Sequence, residues 1–267
     1  MSVLASRPVH LLGGTVTVLF LAAAVTAAAR AGTPALLVAA GGVQAVLIFG
    51  WLIATDPPSP RAVASVAIGT AAVADVLAVV GPQPSLAPLA GVLGLSVLAT
   101  IVVQLARGVA RARVTEAMGS TLGLTVAVAS VAGVLVLRRQ HGGLEVVTAG
   151  AIAGGVGLMT ARFVDFVLPV PHLAAGVAHG GLGVVIGSMT GTAAGVFFAS
   201  VPSLTPHASA FFAWAVALVA VLADLAAAYA MASTPTQPRY SFVAGPLMAL
   251  VATVPIAYVL ASLLVTA

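Results

Sequence analysis

The sequence predicts an all-α fold: a polytopic integral membrane bundle of about nine transmembrane helices, N-terminus cytoplasmic. Apolar residues fill 61% of the 267 positions and charged residues 6%, with a mean hydropathy of +1.20. A water-soluble domain of this length needs far more charge on its surface. Apolar runs near the roughly 20 residues that cross a hydrocarbon core recur along the whole chain. Turn chemistry separates them, at Gly32-Thr33-Pro34, Asp56-Pro57-Pro58-Ser59-Pro60, Gly81-Pro82-Gln83-Pro84, Pro169-Val170-Pro171, Pro202 to Pro206 and Pro235 to Pro238. No break has room for a soluble domain, so the chain reads as a single transmembrane domain, 1–267, with short loops.

The first span, 11–29, follows Arg7 and is longer than the apolar core of a signal peptide, with no distinct cleavage site. The second, 35–54, opens after Pro34 and carries Trp51 near its end. Span 62–80 starts behind Pro60-Arg61 and holds Asp75; span 86–106 runs from a Gly/Pro break into Arg107, Arg111 and Arg113. Span 117–137 has the small pair Gly119/Gly123 and stops at Arg138-Arg139. Span 145–163 carries Gly150, Gly154 and Gly157 and ends at Arg162 and Asp165. Span 173–199 has no acid, lysine or arginine, while spans 207–231 and 242–266 carry Asp224 and the prolines Pro246 and Pro255.

The seventh span is the most unusual. Gly176, Gly180, Gly183, Gly187, Gly191 and Gly195 recur at steps of three or four, which on a helix makes one stripe. Each costs roughly 1 kcal/mol against alanine in a soluble helix, whereas in lipid such a stripe admits a second backbone very close. The reading is a central helix packed along its glycine face, with the sixth span as natural partner; a homodimer seam is the alternative.

Arginines orient the bundle. Arg7, Arg61, Arg107, Arg111, Arg113, Arg162 and Arg239 fall on one side, and Arg30, Arg138 and Arg139 on the other. The richer side reads as cytoplasmic in a multi-pass protein of the inner (plasma) membrane. The net charge of +4 is thus topology and does not imply nucleic acid as a partner. Absent cysteine removes disulfides and thiolate metal sites, and absent lysine removes Schiff-base chemistry.

Ionisable groups at membrane depth cost about 2.5–3.5 kcal/mol on insertion scales, so each needs a reason. Arg162, Asp165, His179 and Asp224 are expected to converge on the cytoplasmic third of spans six to eight. They read either as a catalytic site or as an ion-pair cluster holding three helices, with Arg162 and Asp165 spaced to pair with each other. Asp75 reads as a proton or cation site, or as a carboxyl that reaches towards the outer surface or stays protonated. The cluster of Arg107, Arg111 and Arg113 with Glu116 reads as a topology anchor on anionic headgroups, or as a phosphate site. His141, Glu145, His172 and His207 read as loop or interface residues.

The order of features in the last three spans resembles the CTP:phosphatidate cytidylyltransferases, the CDP-diacylglycerol synthases. Ala223-Asp224 stands where that family has Gly-Asp. The stretch from Gly245-Pro246 to Val254-Pro255-Ile256-Ala257-Tyr258-Val259-Leu260 is similar to the family's closing helix, and Arg113-Val114-Thr115 to the start of a matching one. The resemblance is one of layout over most of the chain. Where the family has a signature rich in lysine and acid, Ser233 to Ala244 holds one arginine, Arg239, and no acid. The family's Pro-Lys-Lys-Thr-Trp-Glu-Gly has no counterpart near Val170 to Gly181.

Joining phosphatidate to CTP brings polyanions together, which metal ions and cationic clamps must neutralise. The resemblance therefore implies a degenerate relative that is non-catalytic and cofactor-free, an accessory or interaction subunit contacting membrane lipids and either itself or another membrane protein. The alternatives are an enzyme of phospholipid headgroups or a small transporter or flippase. The enzyme would use Asp224, Asp165, His179 and Arg162 for catalysis, Arg239 for cofactor binding and Asp224 as a Mg²⁺ ligand.

Overall fold

In the computed structural model the described residues are 7–107, 113–168, 170, 179–198, 201, 204–232 and 241–264. Among them run nine α-helices: α1 (Arg7–Ala31), α2 (Thr33–Thr55), α3 (Pro60–Val80), α4 (Ala87–Ala106), α5 (Val114–Arg139), α6 (Gly143–Val167), α7 (Gly181–Phe198), α8 (Pro206–Ala232) and α9 (Ser241–Leu264). All nine are long and apolar enough to cross a membrane. The fold is an all-α polytopic bundle.

Local chemistry places the helix ends. Proline in the first turn starts α2, α3 and α4, and Pro206 opens α8, where the missing N–H breaks no helical bond. Between α5 and α6 the chain reverses through Gly142 at φ 67°, followed by Gly143, whose missing Cβ leaves room for the carbonyls of Leu137 and Arg138. Arg138 and Arg139 also cap neighbouring helices. Arg138 Nε donates to Ala29 O at 3.0 Å, and Arg139 donates to Ala78 O and Gly81 O, both at 2.7 Å. The orphan carbonyls ending α1 and α3 are satisfied by cations from α5, as the helix dipole favours.

The surface is apolar, and the core mixes alanine with larger branched and aromatic side chains. Phe20 is 73% exposed and Phe197 83%, as side chains facing lipid should be. The main core joins Leu36 and Leu47 of α2, Leu124, Val128 and Leu135 of α5, Val146 of α6 and Phe212 of α8, all at most 1% exposed.

Two expectations about the seventh span need correction. The helix was expected over 173–199; of that stretch 173–178 and 199 lie outside the described residues, His179 and Gly180 are not helical, and α7 starts at Gly181. Consecutive glycines weaken helix propagation there, and a carboxylate from α6 meets the new N-terminus. The helix is also not central. Six of its 18 residues are buried, all on the small-residue face, whereas α5 buries thirteen of 26 and α6 thirteen of 25. α5 and α6 form the axis: α5 packs against α2, α3, α4, α6 and α9, α6 against α1, α5, α7, α8 and α9, whereas α7 packs mainly against α6 and α8 and turns Val185, Met189, Phe197 and Phe198 outward.

Candidate functional site

The glycine face of α7 lies directly on α6. A Cβ on Gly187 would stand 2.7 Å from Gly157 O and from Ala161 Cβ; one on Gly191 would stand 2.7 Å from Ala217 Cβ and 3.0 Å from Gly157 Cα. One on Gly195 would reach Ala213 Cβ at 2.8 Å and Ala153 Cβ at 3.0 Å. From Gly183 to Gly195 the stripe therefore has an intramolecular occupant, α6 on one flank and α8 on the other. Of the glycines of α6, Gly157 meets α7, while Gly150 faces Phe212 and Gly154 faces Val216 and Leu250. Gly176 lies outside the described residues, and Gly180 sits just ahead of the helix.

Close approach at one end of this trio brings four buried ionisable side chains together. Arg162 forks onto Asp224, with Nε to Oδ2 at 2.8 Å and Nη2 to Oδ1 at 2.6 Å. Both residues are at most 5% exposed. His179 Nδ1 lies 2.8 Å from Asp165 Oδ2, and Gly180 N–H donates to Asp165 Oδ1 at 2.9 Å. His179 Nε2 stands 3.9 Å from Asp224 Oδ2, linking the two pairs. The expected Arg162–Asp165 pair does not form: from adjacent turns of α6, each residue reaches a different neighbour. Gly183 has a specific part, since a Cβ there would run into the Asp165 carboxylate.

The chemistry of the cluster follows from its donors. A carboxylate only accepts, so Nδ1 of His179 carries hydrogen and Nε2 turns towards Asp224. Asp165 meets the positive end of the α7 dipole and satisfies an N–H at that terminus. The arrangement ties α6, α8 and the start of α7 by charge-assisted bonds, the strongest kind, in a dry setting.

Mg²⁺, which the headgroup-enzyme alternative would place on Asp224, does not fit this donor set. Both oxygens of Asp224 accept from the guanidinium, and those of Asp165 face His179 and the Gly180 amide. Among the described residues no three His, Asp or Glu side chains gather as metal ligands. Arg239 and Arg111 lie outside the described residues. Arg107 donates to Gln104 at 2.7 Å and exposed Arg113 pairs with Glu116, so each has a local partner.

Asp75 is apart from this cluster and is 9% exposed, turned inward rather than reaching for the surface. Gln44 of α2 donates to Asp75 Oδ1 at 2.9 Å and to Val128 O at 3.1 Å, joining α2, α3 and α5. Gln44 was missed in the sequence; its signal was a lone amide inside an otherwise apolar span. Trp51, near the end of α2, donates its indole N–H to Ser120 Oγ at 2.8 Å. Compared with known proteins, the chain matches no family model, no curated protein and no solved structure.

Proposed function

We propose that this chain is a non-catalytic multi-pass protein of the plasma membrane, N-terminus cytoplasmic, acting as an accessory or interaction subunit. In this reading it keeps a cytidylyltransferase-like layout without the chemistry. One observation carries the proposal: Asp224, the only acid that matched the family's metal ligands, is held bidentately by Arg162 at 2.6 and 2.8 Å. A carboxylate spent on an internal guanidinium is a fastener between helices, and both of its oxygens are taken. Asp165 is spent in the same way on His179 and the head of α7. The four residues that suggested catalysis support a structural assignment better, because each satisfies another.

The test is direct. Purified protein in phosphatidate-containing micelles, given labelled CTP and Mg²⁺, is expected to yield no CDP-diacylglycerol above a no-protein control. Robust product that disappears in Asp224→Asn, with the protein still folded and inserted, would replace this reading with the headgroup-enzyme alternative.

A further inference from the structure

We propose that the groove between α1 and α6 is a binding site for a single anionic phospholipid, its phosphate on Arg30 and one acyl tail along the groove. The groove holds about 440 Å³ and is walled by Leu19, Ala23 and Ala27 of α1 and Ile152, Gly155 and Val156 of α6, with Arg30 at one end. Three observations commit it to this occupant. First, the walls are apolar apart from Arg30 and Thr26, so the body of the ligand is hydrocarbon. Small side chains hollow the groove, and Gly155 brings the helices so near that a Cβ there would stand 2.7 Å from Ala22 Cβ.

Second, the length matches one leaflet. From Leu19 to Arg30 is eleven residues, about 16 Å at the helical rise. Half of a roughly 30 Å hydrocarbon core is about the same, so a tail lying from Arg30 inward ends at the far end of the groove.

Third, the charge sits where a headgroup would. Arg30 is exposed and makes no ion pair among the described residues. Arg138 at this end is already engaged, donating to Ala29 O, which leaves Arg30 as the cation for a headgroup. The acid at this end, Glu145 in the first turn of α6, does not pair with Arg30. Thr26, one turn deeper in the groove, has a hydroxyl without a hydrogen-bond partner among the described residues. An unneutralised guanidinium above an apolar channel selects a lipid of net negative charge over a zwitterion, whose own ammonium already neutralises its phosphate. The site does not depend on the reading of function above, and its test reads no enzymatic product.

The experiment uses the full chain reconstituted in vesicles of equal phosphatidylglycerol and phosphatidylcholine, extracted gently and weighed with bound lipid by native mass spectrometry. One retained phosphatidylglycerol is expected, enriched about fivefold over phosphatidylcholine, the effect of one arginine near a lipid phosphate. Arg30→Gln should return the ratio to that of the vesicle. Ala23→Phe, filling the groove from an exposed position, should lower retention of either lipid. Arg61→Gln, exposed at the opposite end of the bundle, should leave the enrichment intact. Retention at the vesicle ratio by the unaltered chain, persistence of enrichment in Arg30→Gln, full retention in Ala23→Phe, or an equal loss in Arg61→Gln would each overturn the assignment.

Discussion

The two sides of this bundle are held together differently. Where α6, α7 and α8 meet, glycine and alanine let backbones touch, and buried charges finish the contact. Where α1, α2, α5, α6 and α9 surround Val131, Val147, Leu247 and Val251, branched side chains do the packing and leave an apolar cavity of about 90 Å³. In lipid there is no hydrophobic drive between helices, so each interface depends on dispersion, close approach or polar bonds. A glycine face offers few side-chain atoms to interdigitate and little to fix its register. The Arg162–Asp224 fork and the Asp165 contact supply that direction. The branched side fixes its own register by shape, and a residual void is the consequence.

The comparison can be broken most forcefully at Arg162. Arg162→Met leaves Asp224 buried without its cation, and a loss of about 3–5 kcal/mol is expected. Denaturant unfolding in mixed micelles would measure it. Recovery in the double variant Arg162→Met/Asp224→Leu would confine the loss to the stranded charge; a single variant as stable as the parent would mean that the fork fastens nothing.

Next in size is the glycine face. Gly187→Leu must push α7 away from Gly157 and Ala161, for a loss of about 1–3 kcal/mol or more. Gly69→Ala, where a Cβ meets nothing within 4 Å, should gain up to about 1 kcal/mol. Equal responses at these two sites would erase the distinction between a packing glycine and a tolerated one.

His179→Ala removes the partner of Asp165, with an expected cost of about 1–3 kcal/mol. His179→Gln, which retains a donor, should recover part of it, read as a shift in unfolding midpoint. No difference between the two would show that the hydrogen bond to Asp165 is not what His179 contributes. The smallest effect is expected on the branched side: Ala40→Val, growing into the cavity, should stabilise by about 0.5–2 kcal/mol. A fall of similar size would indicate that the cavity walls are already in firm contact.

Much of this was legible in the residues. Eight helices begin and end close to where hydropathy and Gly/Pro breaks set them, because crossing lipid demands a fixed length of apolar chain. That Arg162, Asp165, His179 and Asp224 share one end followed from counting spans. Their pairing did not follow. Spacing of three on α6 suggested that Arg162 and Asp165 join, and rotation of α6 between α7 and α8 sends them to different helices. Gln44 and Asp75 are 31 residues apart and meet only because α2 and α3 both pack on α5.

By itself, then, the sequence determined the solvent this protein lives in, the helices that cross it and the glycine stripe on α7, because these depend on local composition and period. Tertiary structure alone decided which helix fills that stripe, where α7 begins and which carboxylate answers which cation. Those outcomes depend on helix rotation and on distances of a few ångströms between segments far apart in the chain, and local pattern does not encode them.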